Sequence, residues 1–171
     1  MHADRQARVV VGVAESIAGL RALRVAVAEA HLRRAVLHAV RVWYLPLANR
    51  GPGVLVLRQE VAQNARLTLT RAFTTAMGGP PVGLEVVVAV VEGKRGPALT
   101  AYADRDNDLL VVGTGSPRRL SRPLSGSIAR YCMKHVACPI QAVPPDAFAR
   151  SAHRIARTIR RDLSDYRASP H

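Results

Sequence analysis

The stretch Asp108-Leu-Leu-Val-Val-Gly-Thr-Gly-Ser-Pro-Arg-Arg-Leu-Ser-Arg-Pro-Leu-Ser-Gly-Ser-Ile128 gathers the residue types of this chain that could do chemistry. An apolar run, Leu109 to Val112, ends in Gly113. A loop of Gly, Ser and Arg follows and closes on Gly126-Ser127, at the head of a helical pattern. Strand, glycine turn and helix N-terminus in succession offer backbone N–H groups and a positive dipole end, the donors that hold a phosphate. Arg118, Arg119 and Arg122 add planar cationic donors suited to phosphate oxygens. The competing reading is a plain strand-to-helix connection, with glycines that make room for a turn and arginines that are solvated.

Three other groupings fail on chemical grounds. Cys132, His135 and Cys138 form Cys-x2-His-x2-Cys, but one such cluster does not fill a structural zinc site. Asp104-Arg-Asp106-Asn-Asp108 alternates like a calcium loop, yet has Leu109 where the sharp turn needs Gly and no Glu at the twelfth position. It reads as a helix-to-strand turn. Ser16, His38 and Asp108 could be drawn as a hydrolase triad, but no G-x-S-x-G frame surrounds Ser116 or Ser127. His38, inside an apolar run, reads as a structural histidine. No general base, metal-holding carboxylate pair or P-loop Lys accompanies the loop, which points to binding and signalling rather than turnover.

The elements that must position the loop alternate regularly. Arg8 to Val13 reads as a buried strand, and Ser16 as the N-cap of a helix carrying Leu20, Leu23, Val27 and Ala30 at helical spacing. Ala35 to Val42 is a second strand, followed by a Pro- and Gly-punctuated loop to Gly53. Val54 to Met77 carries a long helix with Val61, Ala65, Leu69, Ala72, Phe73 and Ala76 on one face, stopped by Gly78-Gly-Pro-Pro81. Leu84 to Val91 is a nearly all-apolar third strand, which predicts cover on both faces. Pro97 suits the first turn of a short helix ending near Asp104; a fourth strand spans Leu109 to Val112. A helix from Ser125 to His135 and a fifth strand, Cys138 to Val143, complete the order. This βαβαβαβαβ pattern predicts an α/β fold: an open five-stranded parallel sheet in a Rossmann-like α/β/α sandwich. Its ligand would lie beyond the carboxyl ends of the strands.

After Pro144-Pro145 a basic amphipathic helix is expected from Asp146 to Leu163. Phe148, Ala152, Ile155, Ile159 and Leu163 lie on one face, and Arg150, Arg154, Arg157, Arg160 and Arg161 on the other. The chain thus divides into an α/β domain over 1–143 and a basic helical tail over 144–171. The thin apolar stripe favours packing on protein over insertion into a membrane.

Composition bounds the partners. The chain has 171 residues and a formal net charge of +13, a balance that attracts polyanions without naming which. Its arginines are scattered, and one Trp and two Phe supply a poor stacking platform, which disfavours a dedicated nucleic-acid site. Two cysteines build no disulfide framework, and Met1-His-Ala-Asp-Arg-Gln lacks the apolar core of a signal peptide. A cytoplasmic protein without membrane association is expected.

From Arg8 to Val143 the chain resembles a single-domain universal stress protein. The resemblance rests on Val9-Val-Val-Gly-Val13 before the turn at Ser16, Val36-Leu-His-Ala-Val40, and Val91-Glu-Gly93 before a short helix. It rests also on Asp108 to Gly113, and on Gly126-Ser127 ahead of Cys138-Pro-Ile-Gln-Ala-Val143. Nucleotide-binding members carry G-x2-G-x9-G-[S/T] in the loop. Here Gly113 takes the first position, Gly126 and Ser127 the last two, and Ser116 the middle, with a glycine displaced to Gly115. Those members also tend to place Asp shortly after the first strand to meet the nucleoside. This chain has Val13-Ala14 there, and Ala39 matches a position whose backbone meets adenine.

The resemblance therefore implies an adenine-nucleotide pocket, with ATP the leading ligand, formed by Val13, Ala14, Ala39, Gly113, Gly115, Ser116, Arg118, Arg119, Gly126, Ser127 and Ile128. It implies a homodimer formed near the fifth strand, a role in stress-response signalling, and at most weak ATP hydrolysis. Two alternatives stay open. One is a protein of this fold that binds no nucleotide and acts as a dimeric interaction module; the other is a basic nucleic-acid-associated protein.

Overall fold

The computed structural model describes residues 6–45, 54–115 and 128–146. Runs of β-branched residues form the strands β1 (Arg8–Gly12), β2 (Val36–Trp43), β3 (Val86–Glu92), β4 (Leu109–Gly113) and β5 (Ile140–Val143). Between them run α1 (Ile17–Arg33), α2 (Val54–Met77), α3 (Arg95–Tyr102) and α4 (Ile128–His135). The strands form one sheet in the order β3-β2-β1-β4-β5. Every pair is parallel, with Val10 opposite His38 and Leu110, and Val112 opposite Ala142. The expected α/β fold is present. The tail beyond residue 146, including the expected helix, lies outside the described residues.

Side-chain alternation along the strands splits the core between the two sheet faces. On one, Val9, Val11, Leu37, Ala39, Leu109 and Val111 pack with Leu23 and Ala26 of α1 and Leu69 and Phe73 of α2. On the other, Val10, Val40, Leu110 and Val112 pack with Leu99 of α3 and Cys132 of α4. Ser16 caps α1 as expected: its Oγ accepts a hydrogen bond from the Gly19 N–H at 3.2 Å.

Strand β3 departs from expectation. Its apolar sequence predicts cover on both faces, yet Val87 is 37% and Val88 52% exposed. The reason is position: β3 is the outer strand, and α3 packs on β2, leaving β3 to share α2 with it. The central strands β1 and β4 are covered on both faces, as the sequence predicts.

The opposite, amino-terminal edge is closed by a buried ion pair. Arg8 Nε donates to Asp108 Oδ1 at 2.8 Å and Nη2 to Oδ2 at 2.6 Å; Nη2 also reaches Asp104 Oδ1 at 2.8 Å. Asp108 is 1% exposed and accepts a further bond from the Arg105 N–H at 3.2 Å. The guanidinium lies over the Tyr102 ring, 5.9 Å from its centroid.

Candidate functional site

From β1 the sheet grows one way through β2 to β3, and the other way through β4 to β5. The connections therefore diverge between β1 and β4 and open a crevice at their carboxyl ends, where sheets of this kind bind ligands. The residues at its rim are Gly12, which ends β1, with Val13 and Ala14 after it, and Gly113, which ends β4, with Thr114 and Gly115 after it.

Each rim is held by the backbone. The Val13 N–H donates to the Val40 carbonyl at 2.9 Å, which carries β1 one residue past its formal end. The Thr114 N–H donates to the Val143 carbonyl at 2.9 Å, which does the same for β4 against β5. Gly113 permits a close packing: a Cβ there would lie 2.7 Å from the Ala18 carbonyl oxygen, in the first turn of α1. Gly115 is different. Its φ of +67° falls in the left-handed region, and among the described residues a Cβ would meet nothing within 4 Å. Its glycine serves the backbone bend.

The sequence-derived site residues are placed as follows. Val13 and Ala14 stand at the β1 rim, Gly113 and Gly115 at the β4 rim, and Ile128 opens α4. Ala39 lies within β2, opposite Val11 and Val88, and is fully buried. Ser116, Arg118, Arg119, Gly126 and Ser127 lie outside the described residues, as does Arg122.

Arg41 is a rim residue that motif spacing did not single out. It sits two residues beyond Ala39 on β2, and its Nη1 donates to the Val13 carbonyl at 3.0 Å. Burial, then the nearby charge of Arg95, holds its guanidinium below the ordinary value, with Glu15 acting in the opposite direction. A basic residue interrupting an apolar strand, Val40-Arg41-Val42, was the available signal. Arg95 opens α3, and Glu92, at the end of β3, pairs through Oε1 with Arg58 Nη2 at 2.7 Å.

The groupings discarded above have other work. Ser16 caps α1, Asp108 pairs with Arg8, and His38 Nδ1 lies 2.9 Å from the Tyr102 hydroxyl, so the three form no triad. Asp104 to Asp108 makes a turn closed by Asp108 N–H to the Arg105 carbonyl, at 3.0 Å. Cys132 and Cys138 are buried free thiols, and burial pushes Cys132 up to about 11. Among the described residues no cluster of His, Cys, Asp or Glu could hold a metal ion, and no helix is long and apolar enough to cross a membrane.

Comparison with known proteins agrees with this architecture. UspA from Lactobacillus plantarum superposes with a TM-score of 0.59 at 20% identity, covering 82% of this chain and 99% of that one. The protein MJ0577 gives 0.61 at 17% identity, covering 82% and 97%. A universal stress protein in complex with cAMP gives 0.52 at 20% identity, covering 82% and 99%. At these identities the likeness concerns the fold. No curated protein sequence matches the chain. The sequence profile of the universal stress protein family matches residues 7–144, nearly the whole described fold. With that span and this strand order, the chain belongs to the universal stress protein family.

Proposed function

We propose that the protein binds an adenine nucleotide, ATP foremost, in the crevice between β1 and β4 and acts by binding rather than turnover in a cytoplasmic stress response. The observation that carries this reading is Gly115, whose left-handed bend turns the chain at the rim beyond β4, beside the crevice. The phosphates would lie over the N–H groups from Gly113 to Ser116 and from Gly126 to Ile128. Arg118 and Arg119 would add charge-assisted donors. Ala39 and Val13 would border the base. Ala14 supplies no carboxylate to the ribose, a loss of about 1–3 kcal/mol relative to a site that has one. A structural relative crystallised with cAMP supports the ligand class.

The test is whether folded protein carries or takes up nucleotide. Nucleotide released by acid from purified protein, or calorimetric binding of ATP, is expected. Gly126→Val should abolish binding by crowding the phosphates, and Arg119→Ala should weaken it chiefly at low salt. Well-folded protein that binds no ATP at millimolar concentration overturns the reading. Exposed Val87 and Val88 on the β3 edge favour the second reading, an interaction module without nucleotide.

A further inference from the structure

We propose that the nucleoside end of the crevice recognises a second phosphate, carried on the ribose 2′- or 3′-oxygen, with Arg41 as its donor and Arg95 as a supporting cation. This rests on the nucleotide reading above and specifies its ligand class. The strand order 3-2-1-4-5 sets the geometry. In dinucleotide-binding sheets built on this strand order, an acidic group some way beyond the first strand's glycine turn accepts from an unmodified ribose hydroxyl. An arginine nearby accommodates a ribose phosphate instead.

Here the second strand, β2, carries Arg41 in its carboxyl half, and the guanidinium crosses to β1 to reach the Val13 carbonyl at 3.0 Å. The next residue on β1 is Ala14, whose methyl brings no negative charge to the place where the ribose would lie. Glu15, exposed in the turn, is the acidic group near Arg41 among the described residues.

Two physical features point the same way. Arg41 is partly buried and close enough to Arg95 to feel its charge, an arrangement that a dianion relieves and a neutral hydroxyl does not. Among the described residues its hydrogen bond uses Nη1, which leaves Nη2 and Nε as a fork for two phosphate oxygens. The anchor to Val13 fixes that fork at the rim before a ligand arrives, so little side-chain entropy remains to be lost on binding.

Calorimetry at constant ionic strength should compare 5′-AMP, ADP, adenosine 2′,5′-bisphosphate and adenosine 3′,5′-bisphosphate. ADP carries the added phosphate at the other end and controls for charge alone. One bisphosphate isomer is expected to bind about tenfold tighter than ADP, and the isomer that does so names the oxygen. Arg41→Gln should remove that margin, bringing the bisphosphate to the affinity of ADP measured in the same variant. Ala14→Asp should reverse the margin, by setting a carboxylate against the ribose phosphate. Both variants are to be checked for an unchanged far-UV spectrum and melting midpoint, and Arg41→Lys should retain part of the preference. Bisphosphates no tighter than ADP, or a preference that survives Arg41→Gln, overturn the ribose assignment while ATP binding keeps the pocket reading intact. Folded protein that binds none of these nucleotides overturns both.

Discussion

Asp108 heads β4 and Arg8 heads β1, and the neighbouring strands bring two charges together that lie a hundred positions apart in sequence. Replacing Asp108 by Asn would leave Arg8 buried without its main counter-charge. The expected loss is about 3–5 kcal/mol in denaturant unfolding. The double substitution Arg8→Met with Asp108→Leu should cost clearly less than the two single changes summed. His38, against Tyr102, gives a pH signature. Burial, and then the charge of Arg8, holds its native pKa below the 6.5 of the free side chain. The unfolded chain therefore takes up the proton first. His38 contributes stability above pH 6.5 that is lost as pH falls through its lower native value. A stability–pH profile should show this decline, and His38→Gln should flatten that part of it. The histidine was legible as structural because it interrupts an apolar strand. The Arg8–Asp108 pair was not, since residue type alone does not tell which strand heads become neighbours.

At the scale of elements, hydrophobic period located the strands and helices, and α2 occupies Val54–Met77 as its apolar stripe predicts. What one strand's sequence does not carry is its place in the sheet. Six successive apolar residues, Val86 to Val91, read as a covered strand, but the edge position leaves Val87 and Val88 exposed. Gly113 shows the same limit at the candidate site. Motif spacing gives it to a phosphate turn, whereas the structure shows that it also lets α1 approach the end of β4. Gly113→Ala should therefore destabilise the protein even without nucleotide, because the methyl would meet backbone at 2.7 Å, where nothing flexible can yield. A drop of about 1–3 kcal/mol in the unfolding free energy of ligand-free protein is expected. An unchanged value would return Gly113 to the ligand alone.

For the whole molecule, the alternation of strands and helices made the parallel sheet legible, and with it the edge that carries the candidate site. A homodimer is an expectation of the family resemblance alone, because it depends on which edge of the finished sheet meets a partner. The structure offers two edges. β3 is long and apolar, while β5 has four residues with Ala142 exposed. The chain leaving β5 is held against α1, where Arg21 Nη1 donates to the Pro144 carbonyl and Nε pairs with Asp146 Oδ1, both at 2.7 Å. Residues 144–146 are thereby drawn toward α1 rather than across the outer edge of β5. We propose that β5 is the edge used by a homodimer, since an open strand edge needs pairing or cover and a two-fold axis supplies it. Ala142→Lys would place like charges near that axis, and sedimentation should show a shift from dimer to monomer at micromolar protein with the fold retained. Val88→Lys, on the other edge, should leave the sedimentation coefficient unchanged. If Val88→Lys dissociates the particle and Ala142→Lys does not, the dimer forms through β3 instead, and the exposed valines of that strand are its interface.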